Sequence, residues 1–436
     1  MTPKFVFSTL KIPDLRVLFA RFLRLLWTGV LFPRVELVVA MTEAGFLIDD
    51  EDRYAGFRLI SWWDQQSLAD ARIVVVGAGA LGNEVLKNLA LLGVGQVFVV
   101  DSGLIEPSNL GRSPLFRRRD CGLPKAEVAA EQMRDLNPDV QVVACVGDVI
   151  GDVGLGVFHA ADVVIGCLDN REARLWVNRQ CWKTQTPWID GGIQEISGVV
   201  KVFVPPDGAC YECAMTDLDY QLINLRYSCP LLRERDFQAG RIPTTPTIAA
   251  IVGGWQTQEA LKLIHQMPAN AGQAMVYNGE ANRLYTTRFE RREGCLSHEV
   301  WDNPIPVPVS AESHTAADLF QAVDRCAAGA PTRRLLLERD LVLSLECAQC
   351  GLRIPMLRSR PRVDPQLASC SQCGEWMVPE MTHWVDRDTP RATERLFALG
   401  IPNYDIVRVV TADREMPVLL AADEMAVWPS VPGQAQ

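Results

Sequence analysis

The chain has 436 residues, of which 48% are hydrophobic and 22% charged, and its formal net charge is −10 at pH 7. This length and apolar content predict a globular protein of about two to three domains with a large core. The acidic balance argues against nucleic acid as a partner, so we interpret the arginine run at 117–119 as a solvated surface. Thirteen cysteines, several in Cys-x-x-Cys pairs, are too sparse for a disulfide scaffold. They favour metal sites in a reducing cytoplasm.

Residues 1–40 differ from the rest of the chain, because they carry six Lys/Arg against two Asp/Glu around an apolar stretch at 17–32. Arg21 and Arg24 interrupt that stretch, which therefore falls short of the roughly 18 uncharged residues of a membrane span. Three interpretations stay open: a basic amphipathic helix at a membrane surface, a segment that binds a partner, or a non-native or disordered extension upstream of a start at Met41.

A glycine motif dominates the first half of the chain. The apolar run at 72–76 leads into Gly77, Gly79 and Gly82 and then into an apolar helix pattern. This order predicts a buried strand, a tight turn and a helix N-terminus, whose free N–H groups bind phosphate. Asp101 ends the next apolar run, 19 residues after Gly82, where a carboxylate can bind ribose hydroxyls. The motif predicts an adenine nucleotide site and leaves NAD and ATP open.

Alternating strand and helix patterns continue beyond Asp101 and predict an α/β sheet. We predict strands over 140–146, 161–167 and 188–192, and helices over 124–136, 170–184 and 248–265. Asp169 and Asn170 directly follow one of these strands. In open α/β sheets ligands bind at that carboxyl edge, so both side chains are candidate site residues.

The ordered motifs resemble the ThiF/MoeB/ubiquitin-activating-enzyme superfamily over residues 53–300. They are the glycine motif with Asp101, then Ser108-Asn109-Leu-Gly-Arg112, Gly122-x-x-Lys125, and Asp169-Asn170 with Arg174. The resemblance implies a Rossmann-like adenylation domain with a mixed, mostly parallel sheet. It also implies an ATP-dependent adenylyltransferase that works as a cytoplasmic homodimer. Its substrate would be the C-terminal glycine of a small β-grasp ubiquitin-like or sulfur-carrier protein.

The resemblance also implies roles for individual residues. Arg112 and Lys125 contact phosphate, Asn109 orients it, Asp169 beside Asn170 holds magnesium, and Asp101 binds ribose. Cations are needed there because attack of a carboxylate on the α-phosphate of ATP brings anions together. An NAD-binding oxidoreductase has no use for this cation set and ranks lower, and a non-catalytic scaffold of the same fold is a further alternative.

One position departs from the family pattern, which usually has Arg-aromatic-x-Arg before the first strand. Here Gly56 stands where the second arginine is expected. Either Arg53 or Arg58 is a candidate replacement for this contact to the partner subunit's ATP site.

Two groups of cysteines predict structural zinc. Cys210 and Cys213 form one pair, and three thiolates and an imidazole close a tetrahedral site if Cys295 and His298 join them. A redox role for the first pair is the alternative. Further along, two Cys-x-x-Cys-Gly motifs stand twenty residues apart and predict a zinc ribbon with no open coordination position: Cys347, Cys350, Cys370 and Cys373.

The crossover segment at 205–247 contains Cys229. The resemblance implies that a cysteine here accepts the activated acyl group as a thioester or an acyl-disulfide, and neighbouring arginines would favour its thiolate. A structural or idle thiol is the alternative for Cys229, and Cys326 is the second candidate nucleophile. We expect Cys121, Cys145, Cys167 and Cys181, in or beside core elements, to be inert.

A proline-broken linker at 303–310 predicts a domain boundary. We therefore expect an extension at 1–40, an adenylation domain at 41–302, and a small α+β zinc-ribbon domain at 303–436. In the last we predict helices over 316–328 and 393–399 and strands over 334–343 and 405–410. By analogy it could recruit a ubiquitin-conjugating-enzyme-like protein, and Cys350→Ser is expected to leave adenylation largely intact.

Overall fold

A computed structural model describes residues 52–221, 243–327 and 329–429. The part that begins at Tyr54 forms one compact unit built on two β-sheets. Among the described helices, none combines the length and the apolar character that a bilayer crossing requires.

The first sheet has eight strands in the order β3-β2-β1-β4-β5-β6-β7-β8. Strands β1 to β5 are parallel neighbours, whereas β5 to β8 pair antiparallel. The strands are β1 (Arg72–Val76), β2 (Gln96–Val100), β3 (Gln141–Cys145), β4 (Val163–Gly166), β5 (Trp188–Gln194), β6 (Ser197–Phe203), β7 (Gln273–Asn278) and β8 (Arg283–Arg288). The predicted mixed, mostly parallel sheet is confirmed.

Helices cover both faces of this sheet. They are α1 (Gln65–Asp70), α2 (Ala80–Leu92), α3 (Lys125–Leu136), α4 (Val149–Asp152), α5 (Leu155–His159), α6 (Arg171–Lys183) and α7 (Pro246–Ile264). Side chains alternate along β1, so Ile73 and Val75 join the core beneath α2, α3 and α7. Val74 and Val76 join a second core with α5 and α6.

The second sheet has six strands in the order β11-β10-β13-β14-β9, with β12 paired to β10. The strands of this sheet and the helices beside it are β9 (Ile305–Val307), α8 (Ala316–Cys326), β10 (Arg334–Cys347), β11 (Arg353–Ser359), β12 (Met377–Asp386), β13 (Ile406–Val410), β14 (Glu415–Leu420) and α9 (Glu424–Val427). We call residues 303–429 the C-terminal module.

Two predictions in this module were wrong. The expected linker at 303–310 contains β9, which among the described strands pairs with β14 alone and so forms an edge of the second sheet. The prolines at 304, 306 and 308 fit an edge strand, because a residue without an N–H group is tolerated on the side of a strand that has no neighbour. Residues 393–399 form turns instead of a helix, since Leu396 N and Phe397 N donate to carbonyls of His314 and Ala311.

The C-terminal module packs against the first sheet. Tyr404, Ile406 and Trp428 are buried in the second core, and Trp428 lies with its ring centroid 6.1 Å from that of Phe98 in β2. One face of the first sheet is thus covered in part by residues from the C-terminal module.

Candidate nucleotide site and metal centres

Three glycines lie at the turn between β1 and α2, and two of them, Gly77 and Gly82, leave no room for a side chain. Gly77 has φ +100°, and a Cβ there would lie 2.5 Å from the carbonyl oxygen of Cys167. A Cβ on Gly82 would lie 1.9 Å from the carbonyl oxygen of Gly77. Gly79 precedes α2 as its N-cap and has open space on its Cβ side. Gly77 and Gly82 therefore pack closely against backbone carbonyls, whereas Gly79 lines the cavity above the turn.

Asn83 holds this turn in place. Its buried Nδ2 donates to Ala78 O at 2.8 Å and Gly79 O at 3.0 Å, and its Oδ1 accepts from Leu115 N at 3.0 Å. One side chain thus joins the glycine turn to the loop that carries Arg112. The sequence analysis missed this residue, although an amide in the first helical turn after the glycines was an available signal.

A cavity of about 1040 Å³ opens above the carboxyl ends of the parallel strands. The predicted nucleotide residues line it, with the exception of Gly82, which supports the turn from below. These lining residues are Gly77, Gly79, Asp101, Asn109, Arg112, Lys125, Asp169 and Asn170. The structure therefore brings together side chains that lie up to 93 positions apart in the sequence.

Asp101 lies just beyond the end of β2 with both carboxylate oxygens held by backbone N–H groups. Ala78 N donates to Oδ2 and Gly103 N to Oδ1, each at 2.7 Å. These bonds fix the carboxylate beside the glycine turn, which is the position of a ribose-binding acid in this type of sheet.

The two predicted phosphate ligands, Arg112 and Lys125, line the cavity. Within the described residues, neither Arg112 nor Lys125 has a carboxylate oxygen within 4.0 Å. The polar contact of Arg112 is a long one, 3.5 Å from Nη1 to Thr244 Oγ1. Asn109 Oδ1 accepts from Glu106 N at 2.9 Å, which leaves the Nδ2 group of Asn109 as a donor. This arrangement is complementary to a polyphosphate.

Asp169 and Asn170, which follow β4, make different contacts. Asn170 Oδ1 accepts from Ala173 N at 2.8 Å and caps α6, so its role in this structure is structural. The Asp169 carboxylate makes only a long contact, 3.4 Å to Asn170 Nδ2, and forms no ion pair with any described cation. A free carboxylate beside a phosphate-binding turn fits the oxygen ligands that magnesium prefers.

An ion cluster, of which the sequence analysis named Arg174 but neither of its partners, forms the floor of the cavity. Asp190 is 1% exposed, and its carboxylate lies 2.8 Å from Arg174 Nε and 3.4 Å from Lys201 Nζ. Arg174 also donates through Nη2 to Leu168 O at 2.5 Å and Gly191 O at 3.0 Å. The strand containing Asp190 was predicted, but nothing in its pattern distinguished this acid from a capping residue.

The first predicted zinc ligands converge. Cys210 Sγ lies 3.6 Å from the sulfurs of both Cys213 and Cys295, and Cys213 Sγ lies 3.4 Å from His298 Nε2. Ligands about 2.3 Å from one tetrahedral metal are about 3.8 Å from each other, so this set could hold zinc. His298 stacks on Trp182 with ring centroids 4.6 Å apart, which fixes the imidazole.

The second set converges as well. Cys347 and Cys373 are 3.4 Å apart and Cys350 and Cys370 are 3.6 Å apart, sulfur to sulfur. Each Cys-x-x-Cys motif, at 347–350 and at 370–373, sits in a tight turn closed by a glycine with positive φ, Gly351 at +72° and Gly374 at +76°. The four sulfurs could therefore hold one metal ion between two knuckles.

Cys229 lies outside the described residues, so its predicted role stays a prediction. Three thiols that we expected to be inert are held in their neutral form by burial, which raises the pKa of Cys145 to about 11 and raises the pKa values of Cys167 and Cys181. For Cys145 the nearby Asp152 carboxylate adds to the effect of burial.

A glycine turn, a strand-end carboxylate and two cations without ion-pair partners among the described residues, all above parallel strands, define a nucleotide-binding α/β protein. The profile of the ThiF family matches residues 51–297, which is more than half of the chain. This protein therefore belongs to the ThiF family, as its sequence motifs indicated.

Named relatives agree with this assignment. The chain is 29% identical to the sulfur carrier protein ThiS adenylyltransferase of Escherichia coli over 53% of this chain and 87% of that protein. It is 32% identical to the SAMP-activating enzyme E1 of Haloferax volcanii over 53% of this chain and 81% of that protein. A crystal structure of E. coli MccB with ATP has a TM-score of 0.47 at 22% identity, covering 57% of this chain and 74% of that one.

Proposed function

We propose that this protein is an ATP-dependent adenylyltransferase that activates the C-terminal carboxylate of a small ubiquitin-like or sulfur-carrier protein. The observation that carries the proposal is the pair Arg112 and Lys125, unpaired within the described residues and facing the same cavity as the glycine turn and Asp169. A dinucleotide oxidoreductase needs the turn and Asp101 but gains nothing from this cation set.

The chemistry follows from that charge arrangement. A carboxylate oxygen of the carrier attacks the α-phosphorus of ATP, a new P–O bond forms, and the bond to the β-phosphate bridge breaks to release pyrophosphate. Arg112 and Lys125 offset the negative charge that gathers on the phosphates, and Asn109 Nδ2 orients an oxygen. Magnesium, held by Asp169, would supply further charge neutralisation. The products are a carrier acyl-adenylate and pyrophosphate.

The relatives support the class of substrate. Their names refer to activation of ThiS and of SAMP proteins, and both align with this chain over more than four fifths of their own length. Past the floor cluster the cavity continues along Ile193, Gln194 and Ser197 to Tyr277. An extended C-terminal tail could approach the phosphates along this side, opposite the glycine turn.

A second step would use Cys229. Its thiolate attacks the carbonyl carbon of the acyl-adenylate, AMP leaves with the bonding electrons, and a thioester forms. The carrier would then pass to a conjugating enzyme. Sulfur-carrier activation without protein ligation is the alternative, in which the reaction ends at the adenylate or passes to a sulfur donor.

The deciding experiment is intact mass measurement under non-reducing conditions. The full chain and Cys229→Ala would each be incubated with ATP, magnesium and a candidate carrier that ends in glycine. A thiol-labile adduct of carrier mass on the wild-type chain alone supports the thioester route. Pyrophosphate release without an adduct favours the sulfur-carrier route, and absence of carrier-dependent pyrophosphate exchange with every carrier tested contradicts the proposed function.

A further inference from the structure

One wall of the nucleotide cavity is formed by residues 147–149, which follow β3. Asp101 N donates to Cys145 O at 3.2 Å, so this wall starts directly beside the carboxylate expected to bind ribose. The glycine turn occupies the phosphate side of Asp101. Residues 147–149 therefore flank the ribose and base side of the site.

Asp152 holds the wall in position. Its Oδ2 accepts from Asp148 N at 2.8 Å, and a Cβ on Gly147 would lie 2.7 Å from the same oxygen. Asp148 in turn caps α4, accepting from Ile150 N at 2.7 Å. A displacement of the Asp152 side chain would thus shift the backbone that lines the cavity.

The other oxygen of Asp152 belongs to a contact with the C-terminal module. Arg362 places Nε 2.8 Å and Nη2 2.7 Å from Asp152 Oδ1. The Arg362 guanidinium also stacks over Phe397, 4.5 Å from the ring centroid. The adjacent Val363 is buried in the ribbon core with Cys347 and Cys370, so the fold of the ribbon fixes where Arg362 stands.

A second arginine of the module fixes the backbone of the same segment. Arg339 is buried and donates to the carbonyls of Ile150 and Val153, the latter at 2.7 Å. Its Nη1 lies 3.1 Å from Asp405 Oδ2, while Asp405 Oδ1 accepts from Leu155 N at 2.6 Å. Buried backbone groups around α4 thereby find their partners in the C-terminal module rather than in the first sheet.

We infer that Arg362 and Arg339 are positioning residues of the nucleotide site, and that the C-terminal module is a structural part of that site. The inference rests on the proposed function for the identity of the ligand, ATP. It replaces the expectation that disruption of the ribbon leaves adenylation intact, because the ribbon holds the Arg362 side chain that orders Asp152.

The test compares Arg362→Met with Arg353→Met in the full chain. Arg353 is the matched control, an arginine of the same ribbon that pairs with Glu380 on the surface and lies outside the 147–155 contacts. Calorimetric titration with ATP and magnesium should show a dissociation constant raised about two- to tenfold for Arg362→Met and unchanged for Arg353→Met. The KM for ATP should rise while the KM for the carrier stays constant.

Two further measurements separate positioning from general loss of structure. Hydrogen exchange of peptides spanning 146–155 should accelerate in Arg362→Met, with zinc content and thermal midpoint close to wild type. Arg362→Lys keeps a charged donor and should give a smaller rise, and it replaces the methionine variant if that chain fails to fold. Equal ATP affinity in the wild type and the folded variant would overturn the inference alone. A wild-type chain that binds no ATP would overturn the proposed function, and the inference with it.

Discussion

Arg174 and Asp190 form the most buried ion pair of the candidate site, with Nε 2.8 Å from Oδ1. Arg174 extends from α6 and Asp190 from β5, and the same guanidinium donates to the carbonyl of Leu168, just after β4, and to that of Gly191, within β5. One side chain therefore ties together the two strands whose carboxyl ends form the cavity floor.

Replacement of Arg174 by methionine should lower the free energy of unfolding by about 3–5 kcal/mol, because it leaves the Asp190 carboxylate buried with only Lys201 nearby. Urea denaturation measures this loss. The double variant Arg174→Met/Asp190→Asn should recover part of it, since the uncompensated charge is then gone. A single variant as stable as wild type would contradict the assignment of this pair.

The glycine turn allows a matched comparison. Gly82→Ala forces a Cβ against the Gly77 carbonyl oxygen, at 1.9 Å before relaxation, and should cost more than about 2 kcal/mol of stability. Gly79→Ala meets open space and should fold normally, yet its methyl group projects into the cavity and should weaken ATP binding. Thermal melts and ATP titrations of both variants check this. Equal melting temperatures would show that the turn is less tightly packed.

Removal of either cation that faces the phosphates should lower the rate of pyrophosphate exchange about 10²- to 10³-fold and leave the stability of the fold unchanged. The reason is that these cations stabilise charge that develops in the transition state. The variants are Arg112→Ala and Lys125→Ala. Arg119→Ala is the control, since this nearby arginine has a side chain that is 78% exposed and lies outside the cavity lining. Exchange that survives in both cavity variants would exclude the proposed phosphate contacts.

The two cysteine clusters predict two zinc ions per chain. Cys213→Ser and Cys350→Ser should each lower this to one, whereas Cys326→Ser, an exposed thiol outside both clusters, should keep two. Metal analysis of purified protein measures the ratio. Cys350→Ser should also raise the dissociation constant for ATP, in contrast to the independence expected from the sequence. A wild-type chain free of zinc after expression with the metal would contradict both centres.

The rate of chemical labelling of the buried thiols should reflect their raised pKa values. The pKa of Cys145 is raised to about 11 by burial and Asp152, so at pH 8 only about one thousandth of it is thiolate, the reactive form. Maleimide treatment with peptide mapping should therefore find Cys145 and Cys167 protected, whereas Cys326 should be modified because its side chain is exposed. Labelling of Cys145 should accelerate as the pH approaches 11. Rapid modification of Cys145 at pH 8 would indicate local opening near β3.

The sequence predicted which residues lie together around the cavity, because several of them follow strands that have clear apolar patterns. Asp101 and Asp169 were found from their positions after β2 and β4, and the carboxyl ends of parallel strands share one edge. The clustering of the four ribbon cysteines was predicted because two Cys-x-x-Cys motifs at this separation are typical of a metal site.

The remaining features depend on tertiary contacts that no local pattern records. Asp190 pairs with Arg174 across 16 positions, whereas Arg362 reaches Asp152 across 210. Alternation of polar and apolar residues shows which face of β13 is buried but not that Ile406 joins the core of the first sheet. The error at 303–310 arose because prolines signal a linker more often than an edge strand.

The hydrogen bond between Gln96 Nε2 and the carbonyl of Pro429 joins residues 333 positions apart. Synthesis begins at the amino terminus, so β2 leaves the ribosome long before Trp428 arrives to cover Phe98. Until then the part of this face around Phe98 lacks that cover, and the growing chain exposes apolar surface there. Closure of the core around Phe98 therefore waits until the residues near Trp428 have been synthesised.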